Sequence, residues 1–455
     1  MNKILKEYYA QIKGVAHVTF DPKGPGVVRI HLIPPKKLKL HIPWAVIING
    51  QDILPLNGSW AILLNEFIKE INKTSGIQLP EDELAAVIER TITTVKKIFP
   101  KTERRIIKDD LSDIVNTLVD ISKGITPSLD IGYMTLAKYA KYMNAPHRMD
   151  LMISAMSKNN CWNCNQKCLH CYAGDQQLAN VKEISTTEWK KVIDECQKAY
   201  IPQVTFTGGE PTMRDDLIEL VQYASWFVTR LNTNGVRLTK NLCNELYNAS
   251  LDSIQVTLYD GRRDVHNLLV GSNHYDDTVQ GIKNALEAGI NTSINTPLCS
   301  INKDYVETIK FAEKLGVRYF TCSGLIQTGN ACTENSVDTR LSSAELLEVI
   351  KNASQYCHAK GLDLSFTSPG LIKDVHLKDL KLNVPACGAC LSNMGIAPNG
   401  DVVPCQSWLS TDSLGNLLVE DWKQIWNSKK CKQIRKTSAT SLQMCQLANQ
   451  AKAGK

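Results

Sequence analysis

The first 160 residues of this 455-residue chain contain no cysteine, although the whole sequence holds 15. An odd count excludes a complete disulfide framework, and clustered thiols in a long chain without a secretion signal more often bind metal or do redox chemistry than form bridges. Long apolar runs are also missing. None approaches the roughly 18 residues of a membrane span, and Lys3, Lys6 and Glu7 interrupt the N-terminus where a signal region would need an apolar stretch. The expectation is a cytoplasmic protein with no membrane partner. Basic blocks are absent too: 52 Lys and Arg stand against 46 Asp and Glu, a net charge of +6 spread along the chain. That leaves no footprint for nucleic acid and only weakly favours an anionic partner. Repeats and low-complexity tracts are lacking. What remains is 43% hydrophobic and 22% charged, ordinary for a soluble globular protein of about three domains with a large core.

The cysteines that are present divide unevenly, four in 161–171 and five in 387–445. This suggests a cysteine-free module followed by two metal-binding regions. Residues 15–54 alternate in short runs (VAHVTF, VVRIHLI, WAVIING, DILPLN) broken by Asp21-Pro22, Gly24-Pro25-Gly26 and Pro34-Pro35, the pattern of small antiparallel strands. Ser59 is placed to cap a helix with Trp60, Leu63, Leu64, Phe67, Ile68 and Ile71 on one face. Leu84, Val87, Ile88, Thr91, Ile92 and Val95 form a second helical stripe. A three-stranded sheet with helices packed on it is expected, a domain spanning 1–120. Residues 101–147 look charged and partly helical, with 121–147 as the connector.

From 148 to about 366, strand-like runs (MDLMISAM, VTFTG, FVTRLNTNG, DSIQVTLYD, NTSINTPL, VRYFTCSG) alternate with helical patterns, two of them opened by capping boxes at Ser185/Glu188 and Ser342/Glu345. Such βαβ units build a parallel sheet, open or closed into a barrel, with function at the C-terminal ends of the strands. The barrel is assigned to 148–380. Residues 381–455 form a loop-rich, cysteine-dense extension punctuated by Pro385, Pro398, Gly400 and Pro404.

The sharpest motif is Cys164-x3-Cys168-x2-Cys171-Tyr172, directly after the first barrel strand. Three thiolates in a tight loop can hold three irons of a four-iron four-sulfur cluster and leave the fourth open to another ligand. Zinc is the rival reading. Adding Cys161 gives two C-x2-C pairs, but they lie far closer together than the ~12 or more residues of a finger or ribbon. One βα unit later comes Thr207-Gly208-Gly209-Glu210-Pro211, where two glycines let a ligand approach the backbone and a carboxylate can accept from an ammonium group.

Together these residues resemble the radical S-adenosylmethionine (radical SAM) family. The resemblance implies that Cys164, Cys168 and Cys171 ligate a 4Fe-4S cluster, that Tyr172 packs near the adenine, and that Gly208, Gly209 and Glu210 hold the methionyl amine of SAM. Thr257 and Asn295, on the fourth and fifth strands, are the candidates for the ribose and carboxylate. Where relatives often carry an Arg-Gly pair, this chain has His266 and then Val270-Gly271; His266 is open to a structural or a functional role. The chemistry implied is reductive cleavage of SAM to a 5'-deoxyadenosyl radical, with a flavodoxin- or ferredoxin-type electron donor.

Cys387-x2-Cys390, followed by the C-x9-G-x4-C arrangement of Cys390, Gly400 and Cys405, is similar to the SPASM and twitch extensions that bind auxiliary clusters. Only Cys431 and Cys445 follow, too few for two complete sites. One auxiliary 4Fe-4S cluster is expected, on Cys387, Cys390, Cys405 and Cys445, with Cys431 in reserve; a zinc ribbon is the rival. The N-terminal runs resemble the winged-helix-like, PqqD-like domain that adds a peptide to a sheet edge.

The fold class is therefore α/β: a partial (β/α)6 radical SAM barrel between an N-terminal recognition domain and a C-terminal cluster-binding extension. The implied function is modification of a ribosomally made precursor peptide by hydrogen abstraction, forming a thioether or other oxidative crosslink. Epimerisation is the alternative, for which Cys322 and Cys299, at strand ends, are the candidate hydrogen donors. Radical tailoring of a tetrapyrrole or sugar is a second alternative. A non-catalytic iron-sulfur scaffold is a third, against which stands the Gly-Gly-Glu turn.

Overall fold

A computed structural model describes residues 3–448 except 13, 21–26, 51, 75–78, 130, 133, 160, 411–412 and 442–443. The chain divides into two compact units, one formed by residues up to 145 together with 197–202, the other by 146–196 and 203 onward.

In the first unit, β1 (Ala16–Phe20), β2 (Val28–Ile33), β3 (Trp44–Ile48) and β4 (Asp52–Leu56) form an antiparallel meander in chain order. The expected sheet thus gains a fourth strand. The register aligns Val18 with Ile30 and Ile30 with Ile48, and likewise Leu32 with Val46 and Val46 with Leu54. These rows form one apolar face, because alternate residues of a strand share a side. They join one core with helices Gly58–Ile71, Glu81–Ile98 and Arg104–Ser122. The first helix is capped by Asn57, not Ser59: the Asn57 carboxamide accepts from Trp60 N at 2.9 Å, while the Ser59 hydroxyl merely donates to Asn57. Arg104–Ser122 is no mere connector either. Its Ile107, Leu111, Ile114 and Leu118 are buried in that core, each worth roughly 1.5–3 kcal/mol of transfer. The outer edge of β4 is closed by Pro55, which has no N–H, and by Met134, whose N–H donates to Ile53 O at 3.2 Å.

The second unit is built on one sheet. Its strands are β5 (Arg148–Ser154), β6 (Gln203–Gly208), β7 (Val228–Thr233), β8 (Ser253–Thr257), β9 (Asn291–Leu298), β10 (Tyr319–Gly324), β11 (Asp363–Phe366), β12 (Asn393–Ile396) and β13 (Val402–Val403), in spatial order β11-β10-β9-β8-β7-β6-β5-β12-β13. Strands β5 to β11 are mutually parallel, and β12 runs parallel to β5. This is the expected partial barrel, lengthened by β11 at one edge and by the C-terminal extension at the other. Both capping boxes form, Ser185 with Glu188 and Ser342 with Glu345. Along β9 burial alternates strictly: Thr292, Ile294, Thr296 and Leu298 are buried beneath the helices, while Asn291, Ser293, Asn295 and Pro297 line a part-open concave face. No helix among the described residues is long and apolar enough to cross a membrane.

Candidate functional site

The cysteine loop leaves the top of β5 and is gripped by backbone bonds. Lys167 N donates to Val270 O (3.0 Å) and Leu169 N to Leu269 O (2.9 Å), from the end of helix Arg263–Val270. On the other side, Asn330 N donates to Cys171 O (2.9 Å), its side chain to Cys168 O (3.1 Å), and Ser336 Oγ to Leu169 O (2.9 Å). Two glycines make this closeness possible. A Cβ on Gly271 (φ +61°) would lie 2.4 Å from Lys167 O, and one on Gly329 (φ +56°) 2.4 Å from Cys171 O. The segment 326–340 was not anticipated from the sequence, since it acts through main-chain caps that no periodicity reveals.

Cys164, Cys168 and Cys171 are drawn together on this loop. Burial pushes all three thiols up, Cys164 to about 12, and Cys168 is raised further by the charges of Cys171 and Cys164. Unaided they are thiols, and a strong Lewis acid is what would make them thiolates. Among the described residues no three His, Cys, Asp or Glu side chains converge as on a single ion. Thiols spaced around a loop instead suit separate irons of one cluster, so the donor set fits a 4Fe-4S group.

The Gly-Gly-Glu turn closes against the same loop. A Cβ at Gly208 (φ +149°) would fall 2.4 Å from Ser154 O, and one at Gly209 2.9 Å from Ala155 O. The Gly209 carbonyl faces the Cys164 thiol at 3.5 Å. Glu210 is buried, and burial raises its pKa. Its carboxylate accepts from Thr212 N (3.0 Å), the hydroxyls of Thr212 and Thr233 (2.6 Å each) and Asn234 N (2.8 Å). It therefore ties the third strand's Thr-Asn-Gly turn to the second strand. Asn234 in turn reaches the cysteine loop through Asn165 at 2.6 Å. Thr257 and Asn295 are register partners on the concave face, and Asn295 Oδ1 accepts from Thr321 Oγ1 at 3.0 Å. The Tyr172 ring packs on the cluster containing Met152, Val403 and Leu409, with its hydroxyl bonded to Thr207.

His266 is buried, with its Nε2 lacking a hydrogen-bond partner among the described residues. Its Nδ1 accepts from Tyr259 N (3.3 Å), its ring sits edge-on to Tyr275, and burial lowers its pKa to about 4. Of the two candidate hydrogen donors, Cys322 does not face the concave side, whereas Cys299, just past β9, keeps the parity of Asn295 and Pro297 and packs with Cys168 and Leu169 of the cysteine loop. Cys322 has the parity of Phe320 and is fully buried with Tyr305 and Cys357, both from helices. Cys299 is buried with Tyr259, Leu269 and Val270 behind the cysteine loop. For Cys322, strand-end position was the right cue for depth and the wrong one for face.

In the extension, β12 and β13 pair antiparallel about Gly400 (φ +88°). Cys405 lies near Cys387 and Cys445, whose charges act on it after burial, and its thiol is raised to about 12. Cys390 is hydrogen-bonded to Cys431, and both are fully buried. The bond from Cys390 and the Arg435 guanidinium, 3.5 Å away, favour the thiolate of Cys431. The structure thus gathers all five C-terminal cysteines, including the reserve.

The radical SAM superfamily model matches residues 163–312, and the model of SPASM, an iron-sulfur cluster-binding domain, matches 387–447. Fe-coproporphyrin III synthase of Methanosarcina barkeri is 29% identical over 297 residues, spanning 58% of this chain and 72% of that protein. Mycofactocin maturase MftC of Mycolicibacterium smegmatis is 32% identical over 128 residues, 28% of this chain and 32% of its own. Streptococcus suis SuiB bound to precursor peptide SuiA superposes with a TM-score of 0.58 at 14% identity, over 86% of this chain and 87% of SuiB, a likeness of fold.

Proposed function

We propose that this chain, an enzyme that belongs to the radical SAM superfamily and ends in a SPASM domain, modifies residues of a ribosomally made precursor peptide. The observation that carries this reading is the extent of the likeness to SuiB, which includes the N-terminal unit and was solved with a precursor peptide. In this reading the N-terminal unit recognises the peptide. Cys164, Cys168 and Cys171 hold the SAM-binding cluster, and Cys387, Cys390, Cys405 and Cys445 an auxiliary one, with Cys431 as a fifth thiol beside Cys390. A flavodoxin- or ferredoxin-type protein supplies electrons.

With both bound, the reduced cluster and SAM supply a 5'-deoxyadenosyl radical. The chain's own part is orientation. Gly208 and Gly209 open the backbone to the methionyl amine, Glu210 and Asn234 lock the turn that presents it, and Thr257 and Asn295 offer polar groups to the rest of SAM. With Cys322 turned away, epimerisation, which requires a donor on the concave face, is left with Cys299, and an oxidative crosslink is the reaction we favour. The test is product mass after incubation with a candidate precursor peptide, such as any short reading frame found beside the gene. A loss of about two units supports a crosslink, and a gain of about one per centre in deuterium oxide means epimerisation. The second reading, tailoring of a tetrapyrrole, is favoured by the longer match to Fe-coproporphyrin III synthase. Formation of Fe-coproporphyrin III from a tetrapyrrole precursor, with no change in any peptide, would replace the first reading by the second.

A further inference from the structure

The lower concave face of the barrel carries charges that the cluster loop and SAM subsite do not use. Asp150 on β5 is the register partner of Thr205 on β6, and Thr205 of Arg230 on β7. Arg148, two residues before Asp150, shares its face and approaches it with Nε–Oδ1 at 3.0 Å, the aligned hydrogen bond being Nη2 to Oδ2 at 3.3 Å. Among the described residues Arg230 makes one hydrogen bond, from Nε to Ser253 Oγ at 3.4 Å. Two guanidiniums and one carboxylate leave a net charge of +1. Burial, and after it the charge of Arg148, draws the pKa of Arg230 down to about 10, with Asp150 opposing. Four polar atoms here lack hydrogen-bond partners among the described residues: Nε of Arg148 and Oγ1 of Thr205, a residue only 1% exposed, which can donate, and the acceptors Oδ1 of Asp150 and Oδ1 of Asn232. Buried polar groups are rarely left unpaired without reason. Arg148 and Arg230 are half-buried, as are the residues of this face on β8 and β9, whereas Asp150 and Thr205 are buried.

We propose that Arg148 and Arg230 seat a carboxylate of the substrate on the floor of the barrel, with the Thr205 hydroxyl as a third donor. One excess positive charge matches a monoanion. A phosphate dianion would leave a negative charge uncompensated in a buried site, so a carboxylate is the class that fits. From Arg230 to Asn234, at the level of the SAM turn, are four residues of strand, roughly 13 Å at ~3.3 Å per residue. An extended peptide covers that distance in about four residues. The seat thus selects a substrate whose carboxylate, from an acidic side chain or the C-terminus, lies three to four residues from the one that loses hydrogen. This last step rests on the peptide reading; the seat itself does not.

Two measurements separate them. Mass-spectrometric footprinting of the cluster-loaded protein with phenylglyoxal tests the seat alone, using glutarate and glutaramide as probes. Glutarate is expected to slow labelling of Arg230 several-fold and glutaramide to leave it unchanged. Equal effects, or an Arg230 that phenylglyoxal never reaches, overturn the seat. The precursor peptide is then assayed with its C-terminus and each acidic side chain amidated in turn. One amide is expected to raise KM on the order of tenfold and so identify the source. Arg230→Gln, with parental iron content and melting temperature as fold controls, should raise KM equally and add nothing to that amide, while Arg230→Lys falls between. A KM raised equally for native and amidated peptides refutes the assignment. If no peptide is modified by the parent enzyme, the peptide reading fails while footprinting still decides the seat.

Discussion

Gln176 holds the chain after the cluster cysteines to Ser407 in the C-terminal extension. Its buried amide nitrogen donates to Ser407 O at 3.0 Å and to Tyr172 O at 2.5 Å, and its oxygen accepts from Leu409 N at 3.0 Å. One side chain thus ties the barrel's cysteine loop to the auxiliary domain. Gln176→Leu strands these groups, and leaving a buried partner unsatisfied costs ~1–3 kcal/mol. The expected outcome is a lower unfolding midpoint in urea and faster loss of iron to a chelator. An unchanged chelation rate would show that the two regions hold together without it.

Iron content tests the proposed pair of clusters. The reconstituted parent is expected to carry about eight irons and the Cys164/Cys168/Cys171→Ala triple variant about four, with all SAM cleavage lost. Cys445→Ser should lose the auxiliary irons and Cys431→Ser keep them. The reverse pattern would make Cys431 the fourth ligand.

Because Cys322 is turned toward Tyr305 and the helices, Cys322→Ala should leave product mass and deuterium content unchanged. The cost is packing, on the order of 1 kcal/mol. A variant that folds yet yields no product would restore the thiol to the chemistry.

Removing residues 1–145 should abolish peptide modification while SAM cleavage continues uncoupled. The cut is placed at 145 because Met134 closes the edge of β4 and the first unit runs that far. Parental rates on the full-length peptide would refute recognition by that unit.

Acid should weaken the barrel through His266. Its folded pKa of about 4 lies below the ordinary ~6.5 of an unfolded histidine, so the folded state binds fewer protons. The neutral ring's contribution is complete above about pH 6.5 and is lost as pH falls toward 4, at up to ~1.4 kcal/mol per pH unit. Between pH 7 and pH 5 the parent's melting temperature should drop further than that of His266→Gln; parallel curves would disprove the linkage.

Local spacing made the centre of the site readable. Cys164-x3-Cys168-x2-Cys171 and Gly208-Gly209-Glu210 each lie within one loop, so their geometry follows from chain connectivity. The six longer barrel strands announced themselves as apolar runs. Strand β11 did not, because Asp363 and Ser365 are exposed and only Phe366 is buried. Helix Arg104–Ser122 hid a buried stripe among charges and so looked only charged and partly helical. The face of Cys322 was in fact legible: it shares the parity of Phe320, whereas Thr321 faces inward. Contacts such as Asn330 to Cys171 were not, since long-range caps on carbonyls leave no local pattern.

The glycines at 271 and 329 bring two segments against the carbonyls of Lys167 and Cys171 with no room for even a methyl group. A loop clamped from both sides at the main chain has little freedom to relax when the charge it encloses changes by one electron. Were the loop to hold the proposed cluster, that rigidity would keep its reorganisation energy small and favour rapid electron transfer even for a weak driving force. A bulkier residue at position 271 or 329 would slow reduction of the centre before it altered how many irons the loop holds.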